Sequence, residues 1–361
     1  MSGIVESAAP DQTDAPHEAH AFAVPPAVAI ASLGGTITMV ADETGTGVRP
    51  ALDAAALVAS VPGLADAARL VTETLATKPG ASLEVGELLA ALEWAEARIA
   101  DGAAGVVLVQ GTDTIEETAY LLELHWRRPE PLVVTGAMRP PQAAGADGPA
   151  NLLAAVQVAG APESRDRGVL VVMNDEVHAA ARVRKTRSSG VGAFASLDFG
   201  PLGHVEEGRV VYGSPAAPHA ALPLPAARSH PPVALIETHL GDDGRLLELV
   251  HDAGYAGAVL GGFGVGHVSA GLARAVRELA PGFPLVLATR TGGGTTFRGT
   301  YGFRGSERDL LDAGVIGAGW LDPRKARMLL ATLLADGASP ARIHAEFAER
   351  GGRPAPATGS E

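Results

Sequence analysis

Val106-Val107-Leu108-Val109-Gln110 runs without a spacer into Gly111-Thr112-Asp113-Thr114, and the reading of the chain turns on that passage. An uncharged run of Val and Leu predicts a strand buried on both faces, as in a parallel sheet. The turn that ends it carries two threonines and an aspartate, and a helix is expected from about Ile115 to Trp126. Within the turn, Asp113 or Thr114 reads as the N-cap, and Glu117, three residues past Thr114, would complete a capping box.

The same β-turn-α unit recurs outward in both directions. Ala27–Leu33, Val71–Ala76, Leu132–Thr135 and Val169–Met173 read as strands, with helices over Asp53–Ser60, Glu84–Ile99 and Asn151–Ala159. Ser214–Pro232 is rich in Pro and Ala, without periodicity, and reads as an extended linker. Beyond it come strands over Val233–Glu237, Ala258–Gly261, Leu285–Thr289 and Val315–Gly317, and last helices over Pro323–Leu334 and Pro340–Phe347. The expected fold class is α/β: two domains, each a mostly parallel sheet flanked by helices, joined by a Pro-rich linker. The expected boundaries are an acidic tail over 1–25, a catalytic domain over 26–213, the linker over 214–232, a smaller domain over 233–350 and a tail over 351–361.

Composition narrows the function. The chain has 361 residues, 47% of them hydrophobic, and a net charge of −13. That balance disfavours nucleic-acid binding, and no uninterrupted apolar run is long enough to predict a membrane span. The segment 1–25 contains Glu6, Asp11, Asp14 and Glu18 but no Lys or Arg, so it does not read as a secretory signal and a cytoplasmic location is expected. There is no cysteine, which removes thiolate metal sites and a Cys nucleophile. The histidines lack ligand spacing, and neither a metal nor a cofactor is expected. Only Lys78, Lys185 and Lys325 interrupt an otherwise arginine-rich basic set. A lysine kept in that setting suggests a need for a compact ammonium or for a proton that can leave.

Two further segments carry candidate chemistry. Ser32-Leu33-Gly34-Gly35-Thr36-Ile37-Thr38 ends the first strand in a sharp turn that exposes Thr36, followed by a possible lid over Val40–Arg49. Arg182-Val183-Arg184-Lys185-Thr186-Arg187 holds the retained Lys185. Strand-end turns of an open α/β sheet converge in one crevice, so Thr36 and Thr112 are expected to meet.

Together these segments resemble the bacterial-type L-asparaginases. Gly34-Gly35-Thr36-Ile37, Gly111-Thr112-Asp113-Thr114, Thr135-Gly136-Ala137-Met138-Arg139-Pro140, Ala146-Asp147-Gly148-Pro149-Ala150-Asn151-Leu152, Asn174-Asp175 and Lys185-Thr186 occur in that family's order. So does Leu321-Asp322-Pro323-Arg324-Lys325-Ala326-Arg327. The resemblance implies hydrolysis of L-asparagine to aspartate and ammonia by a cofactor-free homo-oligomer, a tetramer or dimer. It implies Thr36 as acyl-accepting nucleophile, Thr112, Asp113 and Lys185 as the second catalytic group, Asp113 as holder of the substrate α-amino group, and Ala137 as a backbone contact to the side-chain amide.

Chemically the set is suitable. A threonine hydroxyl needs an adjacent base. An ammonium, unlike a guanidinium, can release its proton where burial or a neighbouring positive charge, such as Arg182 or Arg184, disfavours the charged form.

The chain departs from the family pattern at several positions. Leu33 and Gln110 stand where the family has Thr and His, and no Tyr lies in Val40–Arg49. Gly80-Ala81 aligns with the Ser–Gln pair that grips the α-groups, leaving Ser82 as the nearest hydroxyl. Gly264-Val265-Gly266-His267 aligns with Gly-Asn-Gly-Asn, which makes His267 a candidate lining residue. Glu307 aligns with the acid donated across the subunit interface. These differences bear on specificity and leave glutaminase or broader amidase activity, or a non-catalytic amino-acid binding module, as alternatives.

Overall fold

The computed structural model describes residues 25–41, 48–50, 52–216 and 218–352. Of the expected tails over 1–25 and 351–361, residues 1–24 and 353–361 lie outside these residues, as does most of the expected lid. In chain order the strands are β1 (Ala27–Gly34), β2 (Met39–Ala41), β3 (Val48–Pro50), β4 (Arg69–Lys78), β5 (Gly105–Val109), β6 (Leu132–Thr135), β7 (Val169–Met173) and β8 (Glu176–Ala179). They continue with β9 (Arg184–Lys185), β10 (Phe194–Ala195), β11 (Gly203–Glu206), β12 (Arg209–Tyr212), β13 (Val233–Glu237), β14 (Gly257–Gly262), β15 (Leu285–Thr289) and β16 (Ile316–Gly317). The helices are α1 (Ala54–Ala59), α2 (Leu64–Ala67), α3 (Val85–Ala100), α4 (Ile115–His125), α5 (Gly148–Gly160), α6 (Arg245–Asp252), α7 (Ala270–Leu279), α8 (Glu307–Asp312), α9 (Pro323–Ala335) and α10 (Pro340–Arg350).

The first sheet has the order β12-β11-β8-β7-β6-β5-β1-β4. From β7 to β4 every pairing is parallel. The chain leaves β1 for β4 on one side, then crosses back to β5 on the other. Strand order therefore reverses between β1 and β5, the place where an open α/β sheet opens a ligand crevice at its strand C-termini. The alternation of side chains sorts the core into two layers. Ala29, Ala31, Val106 and Leu108 face α3 and α4, whereas Val28, Ile30, Val107 and Val109 face α5 and the α1–α2 pair. Edge strand β4 (RLVTETLATK) has no fully buried residue, in keeping with its polar sequence.

The second sheet, β13-β14-β15-β16, is wholly parallel. Its Val259, Val286 and Ala288 share one continuous core with α9, α4 and the first sheet, while its other face packs on α7. The segment between the sheets is thus no free spacer. Its described residues form no helix or strand, as its prolines dictate, but Leu222 is buried, its N–H donating to Leu124 O and its carbonyl facing His125 Nδ1 at 3.2 Å.

The antiparallel strands β8, β11 and β12 were not expected. Each of two hairpins rests on a two-residue turn with both central residues at positive φ, Asn174-Asp175 (54° and 61°) and Glu207-Gly208 (49° and 75°). Positive φ at both positions is the type I′ geometry that matches strand twist.

The seam between the sheets contains a half-buried base, His230. His230 Nε2 lies 3.3 Å from Thr332 Oγ1 of α9, and burial, reinforced by His125 and Arg327, pulls its pKa down to about 4. A folded-state pKa below the unfolded value means stability that is complete above pH 6.5 and lost as pH falls from 6.5 towards 4. That loss amounts to at most about 3 kcal/mol. Thermal denaturation across this window is expected to show a falling Tm, flattened in His230→Gln.

Candidate active site

Three turns meet at the reversal point: 34–36 after β1, 79–82 after β4 and 110–114 after β5. They touch backbone to backbone. A Cβ on Gly35 (φ 87°) would lie 2.1 Å from Gly111 N, and one on Gly80 would lie 2.6 Å from Gly111 O. No side chain fits at either position. Thr36 and Thr112, the residues after Gly35 and Gly111, are thereby held on adjoining turns, Thr36 half-buried and Thr112 buried. Thr38 closes the first turn, donating to Gly35 O through both its N–H (3.0 Å) and its hydroxyl (2.9 Å).

Gln110 and Thr114 lock the turn of β5. Gln110 Nε2 donates to Gly111 O and Thr114 Oγ1, both at 3.2 Å, and Thr114 Oγ1 donates onward to Gly80 O at 3.0 Å. The expected capping box is therefore absent: Thr114 occupies the N-cap position but makes no side-chain cap, because its hydroxyl is spent on the neighbouring turn. Glu116 serves elsewhere too, its Oε2 accepting from Lys185 N at 2.9 Å.

Lys185 arrives on the short β9–β10 hairpin. Its Nζ donates to Thr112 Oγ1 at 3.0 Å and to Asp113 Oδ1 at 2.8 Å. Thr112, Asp113 and Lys185 thus form one hydrogen-bonded cluster, with Asp113 exposed and Lys185 largely covered. The neighbouring guanidiniums do not reinforce it. Arg184 donates to Gly292 O, and Arg182 stacks on Phe199 with its Cζ 4.2 Å from the ring centroid. Strand alternation sends Arg184 to the face opposite Lys185, which corrects the expectation of guanidinium charge beside the amine.

The Thr135–Asn151 motif and Asn174 form the scaffold beneath the turns. Asp147 accepts from Met138 N and Arg139 N, each at 2.9 Å, and from Asn151 Nδ2 at 3.0 Å. Asn151 also donates to Gly136 O and accepts from Asn174 N. This network fixes the turn bearing the buried Ala137, and a Cβ on Gly136 would stand 2.5 Å from Gln110 O. Gly80, Ala81 and Ser82 form a single 3₁₀ turn, the first buried and the other two exposed.

His267 and Glu307 form a separate cluster in the second unit. Glu307 is fully buried; Oε1 accepts from Thr300 N (2.8 Å) and Tyr301 N (2.7 Å), and Oε2 lies 3.2 Å from His267 Nε2. Burial pushes its carboxyl up, but these hydrogen bonds outweigh it and hold the pKa below the ordinary range. Both of its oxygens have partners within the chain. Among the described residues no hydrogen bond or ion pair links His267 or Glu307 to Thr36, Thr112, Asp113 or Lys185.

Sequence reasoning missed the clamp behind Lys185. Lys325 is wholly buried at the start of α9, its Nζ donating to Asp322 Oδ2 at 2.9 Å and to Val183 O. Burial raises the Asp322 carboxyl, and Lys325 more than reverses that, leaving it below its usual value. Arg324 faces the other oxygen of Glu116 at 3.4 Å. The scarcity of lysine was the available signal, and it applied to Lys325 as much as to Lys185.

Fold and turns together define a two-sheet α/β protein with a hydroxyl–lysine–carboxylate site at a strand-order reversal. The family described as "Asparaginase, N-terminal" matches residues 27–217, and that described as "Glutaminase/Asparaginase C-terminal domain" matches residues 232–347. The chain belongs to the asparaginase family. It is 36% identical to L-asparaginase 2 of Escherichia coli over 248 residues, 67% of this chain and 70% of that protein. It is 32% identical to L-asparaginase 2 of Bacillus subtilis over 333 residues, 90% of this chain and 86% of that protein. Among solved structures, the probable cytoplasmic L-asparaginase of Campylobacter jejuni superposes with a TM-score of 0.80 at 31% identity, covering 89% of this chain and 99% of that one.

The backbone contact at Gly35 makes a direct prediction. Gly35→Ala places a methyl group inside the Gly111 backbone at a positive φ, and is expected to cost about 2–4 kcal/mol of stability. Chemical denaturation of the variant beside Gly63→Ala, also at positive φ but with nothing within 4 Å of its Cβ, separates the clash from the φ penalty.

Proposed function

We propose that this chain is an amidohydrolase that converts L-asparagine to L-aspartate and ammonia through a threonine-linked acyl intermediate. The observation that carries the reading is the Thr112–Asp113–Lys185 cluster on the turn abutting that of Thr36, in a chain of the asparaginase family. Thr36 Oγ adds to the carboxamide carbon, and its proton is passed through the Thr112–Lys185 pair to the departing nitrogen. The C–N bond breaks to release ammonia, and water then hydrolyses the ester to free Thr36 and aspartate. Backbone N–H groups of the abutting turns would hold the oxyanion, worth ~100–1,000-fold in rate per donor. Asp113, exposed and already beside one ammonium, is suited to receive the substrate α-amino group. The reverse assignment, with Thr112 as nucleophile, is distinguished by which variant traps no acyl-enzyme.

Ammonia release from L-asparagine by purified protein tests the reaction. Thr36→Ala, Thr112→Ala and Lys185→Met are each expected to lower kcat by about 100-fold or more. Lys185→Arg should not rescue, because a guanidinium does not give up a proton at neutral pH. Full activity in all three variants would sink the assignment.

A broader substrate range is favoured by one specific observation: Gly80 and Ala81 offer no polar side chain where an α-amino-acid grip is expected. Comparing kcat/KM for asparagine, glutamine and a simple primary amide measures this, and a missing α-group contact compresses the ratios.

A homo-oligomer, dimer or tetramer, is part of the same reading. Phe297, Tyr301 and Phe303 stand exposed around the loop that Glu307 organises, an apolar patch of the kind that partners cover. Sedimentation giving only a 36.6 kDa species at full activity would contradict it. For location, no helix among the described residues is long and apolar enough to cross a membrane. We favour the cytoplasm, the location carried in the name of the Campylobacter protein, although the probable L-asparaginase of Haemophilus influenzae is named as periplasmic; cell fractionation decides.

A further inference from the structure

The strand that carries Lys185 belongs to neither large sheet. β9 is two residues long and forms a two-stranded sheet with β10, Lys185 opposite Phe194 and Arg184 opposite Ala195. A lysine side chain is a flexible four-carbon stem, so where its amine stands depends on where its main chain is held. Among the described residues, two side chains grip that main chain from outside the hairpin: Lys325 at Val183 O and Glu116 at Lys185 N.

Glu116 is the one built into the site. It stands in the first turn of α4, the helix that continues directly from Thr112-Asp113-Thr114, and its side chain is buried. Its Oε2 accepts from Lys185 N at 2.9 Å, while Lys185 Nζ donates to Thr112 Oγ1 at 3.0 Å and to Asp113 Oδ1 at 2.8 Å. These contacts close a ring. It runs from the helix through the Glu116 carboxylate to the lysine main chain, along the lysine side chain to Thr112, and back into the same helix. One carboxylate thus fixes the root of the lysine side chain relative to the hydroxyl its amine must reach.

A buried carboxylate is an expensive way to make that contact, because removing its charge from water costs free energy that only good partners offset. The helix does not need it for its own stability. Glu117, in the same first turn, supplies the negative charge that a helix N-terminus favours, and it does so from a more exposed position, 3.9 Å from Arg327. The second oxygen of Glu116 faces Arg324 Nε at 3.4 Å, an exposed guanidinium at the head of α9. The short charge-assisted bond to the Lys185 N–H is therefore the contact for which this carboxylate is buried.

We propose that Glu116 is a positioning residue for the amide hydrolysis and acts through Lys185, its carboxylate holding the lysine main chain where Nζ lies against Thr112 Oγ1. The inference rests on the role given to Lys185 above. Glu116 touches no substrate and transfers no proton.

Steady-state kinetics of the full chain on L-asparagine test this, with the Tm of each variant measured alongside. Glu116→Ala is expected to lower kcat about 30-fold with KM held within about 3-fold, since a misplacement of about 1 Å costs up to ~100-fold in rate. Glu116→Gln offers an oxygen to the same N–H and should recover kcat to within about 5-fold of the parent. On a Lys185→Met background, Glu116→Ala should add less than about 3-fold, because the amine it positions is gone. Glu117→Gln should leave kcat within about 2-fold of the parent. If Glu116→Ala does not fold, Glu116→Asp, whose carboxylate falls a methylene short of Lys185 N, takes its place throughout. Unchanged kcat in Glu116→Ala, no recovery in Glu116→Gln, a loss that repeats in full on the Lys185→Met background, or an equal loss in Glu117→Gln overturns the proposal. Parent-like kcat in Lys185→Met overturns the reading of the site and this inference together, whereas a kcat lost in Lys185→Met but kept in Glu116→Ala overturns this inference alone.

Discussion

The site depends on a contact that involves no side chain. Gly35, Gly80 and Gly111 bring three strand-end turns together at main-chain distance, and that approach sets the turns bearing Thr36 and Thr112 against each other. A parallel sheet supplies the general location, because strand order reverses between β1 and β5. The reversal alone would leave a wider crevice. Glycine narrows it until the turns bearing Thr36 and Thr112 touch backbone to backbone, and Thr114 and Gln110 then hold the turns in register.

Around this contact the molecule is organised by hydrogen bonds to main-chain groups. Asp147 and Asn151 hold the turn of Ala137, Glu116 holds the backbone of Lys185, and Glu307 holds the backbone of Thr300 and Tyr301. In each case a buried or largely buried polar side chain fixes where a loop stands and leaves other residues to meet the solvent or a ligand. A buried carboxylate that accepts several N–H groups is well satisfied, so such a loop gains rigidity without an unmatched charge.

Much of this was legible in the sequence. Runs such as Val106–Val109 and Val169–Met173 carry no charge and can only be buried strands, and Leu132–Thr135, Val233–Glu237 and Leu285–Thr289 coincide with the observed strands residue for residue. The Thr112, Asp113 and Lys185 cluster was readable because the residue types are unusual in their setting. The antiparallel extension was less so: Glu-Gly and Asn-Asp are common pairs, and their hairpin role shows only in the φ angles. Thr114 follows the local grammar of a helix start, yet a long-range partner, Gly80 O, claimed its side chain. Ser214–Pro232 lacks periodicity because it packs through single residues such as Leu222, which leaves no pattern to read.

The clamp at the head of α9 has a wider meaning. Every side chain assigned to the reaction belongs to the first unit, yet the peptide that presents Lys185 is gripped at Val183 by an ammonium from the second. The C-terminal half therefore works as a jig for the stretch that carries Lys185, holding it through its main chain. Damage far down the chain, at Asp322 or Lys325, would be felt two residues from Lys185, through the carbonyl of Val183.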